Sequence, residues 1–154
     1  MACCSPARVR LLLDRHGEPR VESSPLLPSP VPLRVALAGG PIDPVNPFLF
    51  HKTTSREHVE AHRSAAHDEV VLWNPSREVT EAMTANIVVD VAGRRVTPPA
   101  RCGLLPGTMR AELLARGEIV EARVTVDELR GAETFWLINS VRGWREAVLD
   151  DERG

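Results

Sequence analysis

Thirteen prolines in 154 residues limit what this chain can fold into more than any other feature. Several crowd into "SSPLLPSPVP" (23–32) and "PIDPVNP" (41–47). Proline fixes φ and lacks an amide donor, so neither stretch can be a helix interior or a central strand. Regular structure must therefore come in short pieces around an extended linker and an irregular loop. "RVRLLL" (8–13) and "RVES" (20–23) flank "DRHGEP" and predict a hairpin turning around His16–Gly17. Such a hairpin is not stable by itself.

Further along, "LRVALA" (33–38) reads as a strand. "TTSRE" offers a capping box, Thr54 with Glu57 three residues later, which predicts a helix to about Ala66. "EVVLWN" (69–74) predicts a strand and an Asn-Pro-Ser-Arg turn. "EVTEAMTANIVVDVAGRRVTPP" predicts a strand, an irregular bend at Ala82–Ala85, and a hairpin turning at Ala92–Gly93. After a Pro-Gly turn, a helix is predicted from about Thr108 to Arg116, stopped by Gly117. "IVEARV" reads as a strand, "TVDELRG" as a second Thr-x-x-Glu box with one short helical turn, and "ETFWLINS" and "WREAVL" as the last strands. Short strands outnumber helices and most are joined by tight turns. The expected class is α+β with a mostly antiparallel sheet and few helices, rather than a doubly wound fold.

The hydrophobic fraction of 43% and charged fraction of 26% suit one globular domain with a modest core. A net charge of −2 gives no basic footprint, so neither nucleic acid nor a membrane surface is an expected partner. Cys3, Cys4 and Cys102 have no spacing that suggests a disulfide framework or zinc, and a reducing cytoplasm fits them best. No signal peptide or membrane span is recognisable.

The segment "FLFHKTTSREHVEAHR" (48–63) contains the sole lysine, Lys52, against eighteen arginines. Guanidinium stays charged, whereas a desolvated lysine can lose its proton and attack a carbonyl. Lys52 is therefore a candidate nucleophile, the alternative being a surface lysine that has not drifted to arginine. Three other segments invite chemistry. "VTEAMTAN" sets Glu81 beside a bend of small residues, where a carboxylate can hold a ring nitrogen or a cation, or simply be an exposed turn acid. "GLLPGTMR" opens a helix, and free amides at a helix start bind phosphate, although such entries are also common as plain loops. "WLINSVRG" ends a strand with Asn139, Ser140 and Gly143, small and polar where a ligand could approach, or a plain turn. His58 and His62 are four apart with His67 nearby, but no HExxH or carboxylate set accompanies them, so no metal site is expected.

Taken in order, Lys52, Glu81, Gly107–Met109 and Asn139–Ser140 carry a resemblance. The chain resembles the class IV aminotransferases, the fold-type-IV pyridoxal-phosphate enzymes, and "HKTTSR" resembles the aminodeoxychorismate lyase group within them. "VTEAMTAN", "CGLLPGTMRAELLARGEI" and "WLINSVRG" extend the match from Lys52 nearly to the C-terminus. The resemblance implies the pseudo-barrel large domain of that fold at 33–150, preceded by a remnant hairpin of the small N-terminal domain at 1–24 and a proline-rich linker at 25–32. It also implies that most of the small domain, with an Arg to the cofactor phosphate and one wall of the substrate cleft, is missing. Weak cofactor binding and little turnover in isolation are then expected.

By the same resemblance the cofactor is pyridoxal 5'-phosphate. Lys52 would bind its aldehyde and move the substrate proton. Glu81 would hold the pyridine nitrogen, Leu105 would pack on the ring face, and Gly107, Thr108, Met109, Asn139 and Ser140 would line the phosphate side. The implied reaction converts 4-amino-4-deoxychorismate to 4-aminobenzoate and pyruvate, in a homodimer. Transamination of branched-chain or D-amino acids is the alternative within the family, and a non-catalytic remnant is the alternative outside enzymes.

Overall fold

The computed structural model describes residues 6–150, and the chain divides into two compact units, one up to Pro30 and the other from Val31. The first is a two-stranded antiparallel ribbon of β1 (Ala7–Leu13) and β2 (Pro19–Pro25), with Leu11 opposite Val21. Asp14 Oδ1 accepts the His16 and Glu18 amides at 2.7 and 2.9 Å, and Gly17 takes φ +84°, so the turn is closed by its own residues. Within the ribbon, Val9, Leu11, Leu13 and Val21 are all exposed.

The second unit is built on an eight-stranded sheet. Its strands are β3 (Leu33–Leu37), β4 (Glu69–Trp73), β5 (Val79–Ala82), β6 (Asn86–Val91), β7 (Arg94–Thr97), β8 (Val120–Glu121), β9 (Phe135–Asn139) and β10 (Gly143–Leu149). The order across the sheet is β5-β4-β3-β10-β9-β6-β7-β8. The two edges then meet. The Val79 amide donates to the Val124 carbonyl at 2.8 Å and the Val126 amide to the Arg77 carbonyl at 3.0 Å, which joins β5 to the chain just beyond β8. This closure curls the sheet into a pseudo-barrel and removes its free edges.

The α+β class stands, with a more mixed sheet than tight-turn reasoning predicts. Pairs β4–β5, β6–β7, β6–β9 and β9–β10 are antiparallel, while β3–β10, β3–β4 and β7–β8 are parallel. None of the parallel pairs is joined by a tight turn. Residues 38–68 carry the chain from β3 to β4, a connection long enough for a parallel return.

Alternation along the strands separates an interior from an outer face. Leu33, Val35, Val71, Ile87, Val89, Phe135, Leu137 and Ala147 point into the barrel and form one core. Val70 and Leu72 point the other way, onto Ile42, Leu49 and Val59, and Val88 and Ile138 pack under Leu113 of a helix.

Among the described residues three α-helices decorate this barrel: α1 (Glu57–Glu60), α2 (Thr108–Ala115) and α3 (Val126–Gly131). Two differ from expectation. The Thr54 box does not form: α1 begins after Arg56, without a side-chain cap, and ends at Glu60 rather than near Ala66. Val59 is its only buried residue, too little tertiary anchoring to offset helix nucleation. The strand expected over "IVEARV" is paired only at Val120–Glu121, because the chain then leaves β7 to close on β5. The Thr125 box does form, with its hydroxyl and the Glu128 carboxylate exchanging bonds with each other's backbone amides.

Candidate active site

Glu81 lies on β5 just before a tight turn in which Ala82 and Ala85 exchange backbone bonds at 2.9 and 3.4 Å. Its Oε1 accepts the Leu105 amide at 3.1 Å, and Asn86 Nδ2 approaches its Oε2 at 3.4 Å. Burial pushes this carboxyl up to about 8. The Leu105 amide opposes the shift, as do the charges of Lys52, Arg56 and Arg110. An acid in that state can be a neutral donor or, once a cation faces it, a carboxylate acceptor.

Asn86 is the hub of this side of the site, and the motifs alone did not single it out. Its Nδ2 donates to the Leu105 carbonyl at 2.8 Å and its Oδ1 accepts the Gly107 amide at 3.2 Å. One side chain thus ties Glu81 to the loop that enters α2. A Cβ at Gly107 would fall 2.4 Å from Asn86 Oδ1, so the glycine is required by this close approach. The sequence held a clue: Asn is poorly suited to strands, yet it opens the otherwise apolar "NIVVDV".

The start of α2 has no side-chain cap. Its first amides have no intrahelical acceptor and, with the helix dipole, form an anion-binding end. Beside it, Thr108 Oγ1 and Ser140 Oγ lie 2.6 Å apart, both exposed, so the helix start and the end of β9 share one polar corner. Met109 turns its side chain to the cluster of Val88 and Ile138, which leaves its backbone for that corner. Asn139 is a brace. Its Nδ2 donates to the Thr84 carbonyl at 3.2 Å, and its Oδ1 accepts the Val141 and Arg142 amides at 3.0 and 2.9 Å.

Lys52 departs from expectation. A nucleophilic amine is expected to be buried, but this one is exposed, in the irregular stretch between a 3-10 turn at Pro47–Leu49 and α1. Phe50 packs on the outer cluster, but from His51 to Arg56 the stretch has no apolar side chain to fold the amine inward. Its charge nevertheless acts on Glu81. The structure thus groups Glu81, Leu105, Gly107 and Asn86 in one hydrogen-bonded web, joins Thr108 to Ser140, and places Lys52 within electrostatic reach. A second polar cluster adjoins the turn. Glu69, also raised by burial, accepts the Thr84 hydroxyl and lies 3.9 Å from the Arg145 guanidinium, beside a cavity of about 110 Å³.

The amino-transferase class IV family model matches residues 4–148. The chain belongs to that family. It is 34% identical over 156 residues to a putative aminodeoxychorismate lyase of Schizosaccharomyces pombe, covering 94% of this chain and 68% of that protein. Among solved structures it is similar to a putative amino-acid aminotransferase from Mesorhizobium loti, at 35% identity and TM-score 0.86, over 96% of this chain and 75% of that one. It is also similar to CpuTA1, a fold IV transaminase of Curtobacterium pusillum, at 27% identity and TM-score 0.74, over 95% and 58% of the two chains. Class IV aminotransferases and the lyases related to them are pyridoxal-phosphate enzymes. The donor set of this class IV chain fits that group: a lysine, a desolvated acid for a ring nitrogen, and an uncapped helix start flanked by two hydroxyls for a phosphate. Among the described residues no His, Cys, Asp and Glu cluster could hold a metal ion, and no helix is long and apolar enough to cross a membrane.

Proposed function

We propose that this chain binds pyridoxal 5'-phosphate and acts as an aminodeoxychorismate lyase, converting 4-amino-4-deoxychorismate to 4-aminobenzoate and pyruvate in the cytoplasm, as a homodimer. The observation that carries the reading is the web from Glu81 through Asn86 to the uncapped start of α2, with the Lys52 charge within reach of its acid end. When bound, the cofactor supplies an electron sink conjugated to the substrate nitrogen. Lys52 would hold the cofactor aldehyde and, once displaced, take a ring proton at its Nζ and return one to the departing enolpyruvyl carbon. Atoms balance: one C–O bond breaks, the ring becomes aromatic, and the three-carbon fragment leaves as pyruvate. Glu81 would face the pyridine nitrogen and Leu105 its ring. Thr108, Ser140 and the amides of Thr108 and Met109 would receive the phosphate, and the small Gly107 would keep Asn86 in place behind them. Likeness to the Schizosaccharomyces pombe protein supports lyase chemistry.

A second reading, transamination of amino acids, is supported by likeness to the Mesorhizobium loti protein. One experiment separates them. Purified protein is mixed with pyridoxal phosphate, followed by visible absorbance, and treated with borohydride, beside Lys52→Ala and Lys52→Arg. A weak band that borohydride fixes at Lys52 is expected, with slow pyruvate release from aminodeoxychorismate in the unreduced sample. Exchange with keto acids without pyruvate release would favour the aminotransferase. Absence of any Lys52-dependent band would sink both and leave a non-catalytic protein.

A further inference from the structure

The turn that follows Glu81 is held from several sides. Asn139 bonds the Thr84 carbonyl from β9, and the Thr84 hydroxyl bonds Glu69 of β4. The remaining peptide, at Met83, has its carbonyl taken by Arg56 Nη2 at 2.5 Å. Arg56 comes from the segment that carries Lys52, four residues earlier. Its Nε also lies 3.6 Å from Glu60 Oε1, which steadies the side chain on α1. The bond to Met83 thus links the lysine's segment directly to the acid's turn.

We propose that Arg56 is a positioning residue for this site: its guanidinium ties the Lys52 segment to the turn after Glu81 and keeps a permanent positive charge within reach of the Glu81 carboxyl. This deepens the pyridoxal-phosphate reading and rests on it for its functional meaning. The chemistry asks for two different cations here. Lys52 must be able to give up its proton, and the field it exerts on Glu81 then vanishes. Arg56 cannot give up its proton, so its field persists. The charges acting on Glu81 are those of Lys52 and Arg56 from this segment and Arg110 from α2, and all three favour the carboxylate. Arg110 is already committed to the Pro98 carbonyl and the Glu121 carboxylate. Arg56 alone combines a charge on Glu81 with a bond to its turn. A planar fork suits this dual task, and a lysine at the same position would supply charge without the geometry.

The test uses the whole chain without cofactor. Carboxyl NMR follows the titration of Glu81, assigned by its loss in Glu81→Gln. Amide exchange follows Ala82 and Ala85 in the turn, with Leu137 in the barrel core as a control for folding. Arg56→Gln is expected to move the Glu81 midpoint up and to speed exchange at Ala82 and Ala85 roughly tenfold, the loss of one charged hydrogen bond, while Leu137 stays protected. Arg56→Lys is expected to restore the midpoint but not the slow exchange. A merely structural arginine would not divide the two readouts in that way. Unchanged titration and unchanged turn exchange in Arg56→Gln overturn the proposal. Should Arg56→Gln lose Leu137 protection, Arg56→Lys decides: turn exchange as slow as in the unsubstituted chain overturns it. The pyridoxal-phosphate band of the unsubstituted chain is recorded in parallel. Its absence would sink the functional reading and leave the Arg56 measurements standing.

Discussion

Between Phe50 and Ala66 only Val59 is buried, whereas between Val79 and Val89 every residue is buried except Glu81, which is half-buried, and Thr84, which is exposed. The first region carries the candidate amine and the second the candidate acid. The Lys52 charge acts on Glu81, yet the two are held by different physics. Glu81 is fixed by a barrel strand, a reciprocal turn and the Asn86 web, so its surroundings share the stability of the core. Lys52 hangs on a segment with little apolar anchoring, linked to the acid's turn through Arg56, and few buried contacts mean low local stability. The division would suit the proposed reaction, in which the acid stays in place while the amine exchanges one covalent partner for another. Two identical patterns make the same point. Thr54-x-x-Glu57 and Thr125-x-x-Glu128 share a spacing, but only the second closes into a capping box. The helix it opens buries Val126 and Leu129 in the barrel core, while α1 has Val59 alone.

The largest expected effect concerns the acid. A carboxyl raised from 4.5 to about 8 by folding binds its proton more tightly in the native state. Its contribution is therefore fully present below the ordinary carboxylate range and is lost as pH rises through about 8. Without cofactor, Glu81→Gln is expected to match the parent near the acid end and to exceed it by a few kcal/mol in alkaline buffer, at about 1.4 kcal/mol per pH unit. Urea unfolding across that range checks it, and a difference that stays flat with pH would show that Glu81 is as solvated as Lys52.

Next comes the web itself. Gly107→Ala is expected to cost about 1–3 kcal/mol, because its methyl would evict Asn86 from its two backbone partners. Thermal unfolding with the Asn86→Ala background tests the cause: the penalty should shrink once the amide is gone. An equal penalty in both backgrounds would mean that the glycine matters for some other reason.

The smallest effect separates the two Thr-x-x-Glu patterns. Thr125→Ala is expected to cost about 1 kcal/mol, and Thr54→Ala to stay within about 0.5 kcal/mol. Equal losses in denaturant titrations would show that the Thr54 box forms in solution and that the two regions are anchored alike.

Much of the architecture was legible in residue order. The short β-branched apolar runs "EVVLW" and "NIVVDV", the turn at Ala92–Gly93 and the helix after Pro-Gly all follow from local preference, and these elements stand where the pattern puts them. The solitary lysine and the acid beside a small-residue bend were visible as residue types, because chemistry selects type before position. Tertiary structure decided the rest. Which strand meets which is settled by how a twisted sheet closes on itself, so the parallel partners of β3 and the joining of β5 to residues 124–126 have no local signature. For the same reason Asn86 became the hub of the acid web, Arg56 reached Met83 across 27 residues, and Lys52 lay exposed rather than buried. Burial and long-range hydrogen bonding depend on what the rest of the chain brings alongside, and a short stretch cannot encode that alone.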